Sequence, residues 1–405
     1  MAMNSPLNTL HQQAEASFVS YGGNEGGPGA QVVETFGEVE GEYAAIRKGC
    51  VLLDLPHRGT LRVTGKDRIA FLDRMVTQEL KGAKPFSTRR TFWLNRKGRI
   101  DADLKLTELP DETLLDCDVL AASGAAKSLA EFIFSEDVAI RDECEAMHRL
   151  ALHGPTALPL LRAVCEHVEG APLEDFGVRL AAIVTIAGRR VVVDRSDTTG
   201  EVGLELVMST GDVPAVYEQI LERGLSTNGP PGAGPAATIT PAGYRMRPAG
   251  WHAYNIARIE AGTPLFNIDF GPNSLPAETG VLDDRVSFTK GCYLGQEVVA
   301  RMKSLGHPKQ TLVGLRLYPT EAQQGSGREC QPGAGAVIAR SAQGEADPIG
   351  AVTSSTRSPM LGDAIICFAA VKWGLHEAGT ELAARTEAGA VRGVVQPGLR
   401  FWSKD

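Results

Sequence analysis

Apolar positions along this chain recur in two rhythms. Ile100-Asp101-Ala102-Asp103-Leu104-Lys105-Leu106 alternates apolar and polar at each step, the signature of a half-buried strand. Ile69 to Met75 instead carries its apolar residues at helical spacing, after the strand Leu61-Arg62-Val63-Thr64 and the turn at Gly65. Pro6 opens a helix whose Leu7, Leu10 and His11 share one face. Further helices are predicted over 42–48, 125–136, 214–223 and 251–262, the last stopped by Gly262. Buried strands are predicted at 51–55, 91–95, 148–153, 191–194 and 203–207. The order over 148–225, close to β-α-β-β-α, reads as a compact α+β module. The Gly/Pro-rich run 229–235 reads as a linker or surface loop, and 22–30 as a mobile glycine-rich segment. From Leu312 onward short strands alternate with turn signals, which predicts a small barrel.

Composition narrows the class. With 405 residues the chain has room for two or three domains. A net charge of -8 argues against general nucleic-acid or anionic-membrane binding. There is no apolar run of eighteen, so no membrane partner is expected. The opening Met1-Ala2-Met3-Asn4-Ser5-Pro6 lacks signal-peptide features, and a cytoplasmic location follows as the expectation. The seven cysteines (50, 117, 144, 165, 292, 330, 367) include no C-x-x-C pair, so neither a disulfide framework nor a resident metal is expected. Cys144 and His148 sit four apart, as on one helix face, but lack a second ligand pair. Asp54 and Arg58 have the spacing of a local ion pair, and Arg99 could pair along its strand with Asp101 or Asp103.

The chemistry concentrates in Lys290-Gly291-Cys292-Tyr293-Leu294-Gly295-Gln296-Glu297. Lys290 favours the thiolate of Cys292 electrostatically, and the two glycines permit close backbone approach. The plainer alternative is a glycine turn leading into a short strand or helix, with Cys292 buried as a small apolar residue. The string resembles the K-G-C-[FY]-x-G-Q-E signature of the YgfZ-type folate-binding proteins. These belong to the superfamily of the glycine-cleavage T-protein, an aminomethyltransferase. The likeness extends to the Val63, Gly65, Asp67, Arg68 segment, to Arg258-Ile259-Glu260-Ala261-Gly262, and to Gly350, Val352, Thr353, Ser354, Ser358 and Pro359.

The resemblance implies an α+β, three-lobed T-protein-like fold, with ferredoxin-like α+β modules and a C-terminal β-barrel around a central channel. The expected segments are 1–145 (folate-binding domain, first part), 146–235 (second α+β module), 236–305 (return to the first domain) and 306–405 (barrel). It implies tetrahydrofolate as cofactor, bound through Glu205, Asp103, Arg258, Tyr293, Gln296 and Glu297, with Cys292, Asp103 and Lys290 as the chemical groups. Asp103 stands where the T-protein has its catalytic aspartate, with Ala102 replacing the carboxylate before it. Glu205 stands where the T-protein anchors the pterin; otherwise it is a solvent-facing strand carboxylate. Thr198, Tyr254 and Val119 replace a tyrosine, an arginine and an asparagine of the T-protein pattern. The leading expectation is support of iron–sulfur cluster assembly or repair, with iron–sulfur client or assembly proteins as partners. The alternative is tetrahydrofolate-dependent aminomethyl transfer.

Overall fold

The computed structural model describes residues 4–22, 29–226, 243–304, 306–325, 329–341 and 348–404. The expected linker at 229–235 and most of the glycine-rich 22–30 segment lie outside them. Two compact units emerge: one of Met1–Met75, Leu80–Thr91 and Ala102–Tyr254, the other of Val76–Glu79, Phe92–Asp101 and Asn255–Asp405.

The first unit contains a seven-stranded sheet in the order His167–Gly170, Ala181–Ile186, Arg189–Arg195, Gly203–Ser209, Met147–His153, Cys50–Asp54, Met246–Pro248. Neighbours are antiparallel except the last pair. Period-2 alternation gives this sheet two different faces. Leu150, Leu152, Val191, Val193, Leu204 and Leu206 join the apolar faces of helices Ala157–Val164 and Val213–Leu225 in one core. The intervening residues Arg149, Asp194 and Glu205 therefore lie on the opposite face. There Val192 and Val207 meet Leu109 and Leu114 of a second sheet. That five-stranded sheet runs Ser87–Leu94, Ile100–Glu108, Glu112–Asp118, Arg58–Thr64, Ala139–Asp142.

Several local expectations change. The predicted 125–136 helix is Val119–Ala130, because Asp118 caps it: its Oδ1 accepts from the Leu120 N–H at 2.9 Å. Asp54 does not pair with Arg58. Its carboxylate takes His11 Nε2 at 2.9 Å and His148 Nε2 at 2.6 Å, tying the helix Asn8–Gln13 to the sheet, while Arg58 turns to Asp116. Cys144 and His148 share no helix, since His148 lies in the strand Met147–His153.

The second unit holds a closed six-stranded barrel, Gln310–Tyr318, Ala364–Lys372, Gly350–Ser358, Val337–Ala339, Glu381–Thr386, Gly389–Val395, which closes where Leu315 pairs with Val395. Its interior is filled by Leu315, Leu317, Ile338, Cys367, Ala369 and Val391 among others. The mixed sheets with a terminal barrel are the expected fold class. No helix among the described residues is long and apolar enough to cross a membrane.

Candidate functional site

The facing sheets of the first unit enclose a layer of charge. Asp194 and Glu205 are directly opposite each other on neighbouring antiparallel strands. Two like charges in that register repel. Lys105 resolves the conflict from the other sheet, its Nζ donating to Asp194 Oδ1 at 2.6 Å and to Glu205 Oε2 at 2.8 Å. Arg149, diagonal to Glu205 across its strand pair, donates to the same Oε2 at 2.8 Å. Asp116, opposite Lys105 in the five-stranded sheet, takes Arg58 at 2.9 Å and Arg149 at 3.4 Å. Three carboxylates and three cations thus balance in a nearly dry layer.

Glu205 is only 9% exposed, so it is not the solvent-facing carboxylate of the alternative reading. Burial pushes its carboxyl up, but Lys105, Arg149 and Arg58 outweigh this and hold it well below the usual carboxylate range. Asp194 moves the other way: burial raises it, and Lys105 at 2.6 Å with Arg149 at 3.9 Å does not fully offset this against the neighbouring Glu205. The hydrogen bonds from Lys105 and Arg149 to Glu205 converge on Oε2. Asp103 is half-buried, two residues before Lys105 and so on the same face of the strand Ile100–Glu108.

An aromatic group belongs to the same unit. Trp251 meets His57 edge-on at 5.4 Å between ring centroids and lies 5.8 Å from Tyr254, which is 5.8 Å from His153. Tyr254 Oη donates to Thr198 Oγ1 at 3.3 Å, so two of the three replaced T-protein positions touch each other. The third, Val119, is the first residue of the helix that Asp118 caps. Burial is the main force pushing the imidazoles down, His57 to about 3 and His153 to about 4. A cavity beside His57, Trp251 and Tyr254 offers only about 10 Å³, room for a single water at most.

The Lys290–Glu297 stretch lies in the second unit. It is irregular up to Gly295, then enters the helix Gln296–Ser304, with the exposed Glu297 in its first turn, where a carboxylate favours the helix dipole. Cys292 is exposed, which removes the reading of it as a buried apolar residue. Lys290 is buried, and its Nζ donates to the carbonyls of Val76 at 2.8 Å and Gln78 at 2.9 Å. That ammonium also lies 5.4 Å from the ring centre of Tyr293, whose hydroxyl is pushed up to about 12 by burial. Gly295 has φ +80°, and a Cβ there would sit 2.9 Å from the Asn95 carbonyl oxygen. Gly98 has φ +71°, and its Cβ would collide with Val298 at 2.7 Å. These two glycines seat the basic 96–99 turn against the Cys292 stretch. In that turn Arg99 donates to the Asn273 carbonyl and Asp101 accepts from Asn95, so the expected Arg99 strand-face pairing gives way to turn contacts. Arg258 is buried, donating to Asp269 and Ser354 at 2.7 Å each, to Asn255 at 2.8 Å and to the Thr263 carbonyl at 3.1 Å.

The structure thus joins Glu205 to Lys105 and aligns Asp103 beside that lysine, while Lys290, Cys292, Tyr293, Gln296, Glu297 and Arg258 belong to the other unit. Lys105, Arg149 and Asp194 were missed in sequence. Their signal is a charge embedded in an otherwise apolar strand, as in Val191-Val192-Val193-Asp194. Among the described residues no group of three or more His, Cys, Asp or Glu side chains is arranged to hold a metal ion.

Residues 7–290 match the family described as the GCVT N-terminal domain. The chain belongs to that family. Relatives named aminomethyltransferase align along most of both chains. That of Synechococcus is 27% identical over 390 residues, covering 94% of this chain and 93% of its own. That of Corynebacterium jeikeium is 26% identical over 372 residues (88% and 86%), and that of Halalkalibacterium halodurans 28% over 317 (77% and 78%). The crystal structure of glycine cleavage system aminomethyltransferase T from Bartonella henselae superposes with a TM-score of 0.79 at 23% identity, over 99% of this chain and 98% of that one. The GCVT chain described here therefore has the T-protein fold. These relatives overturn the leading expectation of a role in iron–sulfur assembly. They favour the alternative.

Proposed function

We propose that this protein is a tetrahydrofolate-dependent aminomethyltransferase of the glycine-cleavage type. The reading is carried by Glu205, buried and kept ionised by Lys105 and Arg149 at the position where the T-protein anchors its pterin. An ionised carboxylate suits the paired N–H donors of an amino-pyrimidinone edge. With both protein donors on Oε2, the chemistry of Oε1 fits a further donor. Asp103, on the strand of Lys105, would hold or pass a proton at folate N5 or N10. Arg258, committed to Asp269 and Ser354, would act as scaffold rather than as a ligand contact.

In the reaction the methylene carbon leaves its carrier sulfur and its amine and bonds to two folate nitrogens. The two folate protons pass to the sulfur and to the departing ammonia. The K-G-C-Y-L-G-Q-E stretch would mark the branch of the superfamily, keeping its YgfZ-type likeness. Cys292 is exposed there and Lys290 holds the 76–78 backbone.

The test is ammonia release from an aminomethylated lipoyl-carrier protein with tetrahydrofolate, alongside calorimetric folate titration. Glu205→Ala should abolish folate binding. Asp103→Asn should retain binding and slow turnover by about 10²–10⁴-fold. Wild-type protein that binds folate yet releases no ammonia refutes the transferase reading.

A further inference from the structure

At one end of the barrel in the second unit lies a cleft of about 530 Å³, lined in part by Arg316, Tyr318, Arg357 and Leu361, with the core residues Cys330 and Ile365 at its base. That volume is in the range of small-molecule sites. Alternation along Gln310–Tyr318 sends Leu315 and Leu317 into the barrel core and Arg316 and Tyr318 outward.

Arg316 is the unusual group. Its Nε is buried without a hydrogen-bond partner, and among the described residues no carboxylate forms an ion pair with it. Its guanidinium instead faces the Tyr318 ring, 5.7 Å from the centroid. Arg392 lies 5.6 Å from the same ring, so two like charges flank one aromatic. The neighbouring cations are satisfied: Arg392 pairs with Glu381, and Arg357 with Glu329 at 3.3 Å. Asp363 also lines the cleft but is exposed. Partly buried positive charge with no counter-ion is costly, and a bound anion would compensate it. Apolar surface accompanies the charge. Leu361 lines the wall, and Tyr318 and the adjacent Met360 are each 42% exposed.

We propose that this cleft binds a small organic anion: a carboxylate or phosphate group held by Arg316, carried on a flat apolar body that lies against Tyr318 and Leu361. None of the residues lining the cleft is among those assigned to folate.

The experiment is calorimetric titration of the full chain with phenyl phosphate, benzoate and inorganic phosphate in parallel. Saturable binding of phenyl phosphate or benzoate is expected, and the stronger of the two identifies the acid group. Arg316→Gln should weaken it about tenfold or more, the effect of losing a charged hydrogen bond. Glu205→Ala should leave it unchanged, which separates this site from the folate reading. If Arg316→Gln lowers the thermal midpoint, Arg357→Gln on the exposed lip should weaken binding without unfolding. No heat with any of the three probes, or undiminished binding in the arginine variants, overturns the proposal. Inorganic phosphate binding as tightly as phenyl phosphate would overturn the organic part of it.

Discussion

Lys105→Met tests the charge layer most directly. Methionine keeps most of the side chain's volume but leaves Asp194 and Glu205 facing each other across adjacent strands without the ammonium now 2.6 and 2.8 Å from them. The layer then carries one excess negative charge. The cheapest relief is to protonate Asp194, whose carboxyl burial and Glu205 already push up. Protonating an ordinary carboxylate at pH 7 costs roughly 4 kcal/mol, from 1.36 kcal/mol per pH unit. This agrees with the roughly 3–5 kcal/mol lost when one partner of a buried ion pair is removed. Urea unfolding of Lys105→Met at pH 7 should therefore show a loss of about 3–5 kcal/mol relative to wild type. At pH 5 protonation costs only about 1.5 kcal/mol, so the penalty should shrink by roughly half or more. A carboxyl whose pKa is raised in the folded variant contributes stability at low pH and loses it as pH rises through that value. Adding Asp194→Asn restores neutrality and should remove the pH dependence of the loss. A Lys105→Met penalty below about 1 kcal/mol at pH 7, in the range of exposed pairs, would refute the picture of a dry layer. So would a penalty equal at pH 5 and 7.

Two other outcomes are expected. Because burial depresses His57 to about 3 and His153 to about 4, the unfolded chain binds protons that the folded chain refuses. Stability should be full above pH 6.5 and fall as pH drops toward 5, by roughly 2 kcal/mol per imidazole. Urea unfolding across pH 5–7 checks this, and His153→Gln should flatten the slope. Gly295→Ala forces a Cβ into a backbone at φ +80° and to 2.9 Å from the Asn95 carbonyl, whereas a Cβ on Gly291 meets open space. The first should cost about 1–3 kcal/mol and the second little, compared as thermal midpoints; equal effects would refute the seating of the 96–99 turn.

What could be read in sequence depended on how local its cause was. Strands such as Ile100–Glu108 and helices such as Val213–Leu225 were legible because period and capping act within a few residues. The helix at Val119–Ala130 was placed late because its apolar residues gave less guidance than its cap, Asp118. The Asp54–Arg58 pair looked local, yet both residues find partners elsewhere, Asp54 at His11 and His148, Arg58 at Asp116. Glu205 could be named from its likeness to the family. The reason it is ionised could not, because Lys105 comes from a different sheet, one hundred residues away in sequence.

The same non-locality changes the weight of the departures from the T-protein pattern. Thr198 and Tyr254, standing for a tyrosine and an arginine, read in sequence as two separate arguments against aminomethyl transfer. In the fold they are hydrogen-bonded to each other, with Tyr254 buried between Trp251 and His153. The pair still includes a phenol, carried by the helix Trp251–Glu260 instead of by the turn before the strand Gly203–Ser209. Residues in contact change together, because the shape and hydrogen-bonding capacity of one constrain the other. The pair therefore counts as one exchange, a tyrosine moved and an arginine lost. The specific deficit against the T-protein pattern at this place is a single positive charge, while the carboxylate expected to anchor the pterin, Glu205, keeps its full complement of buried cations.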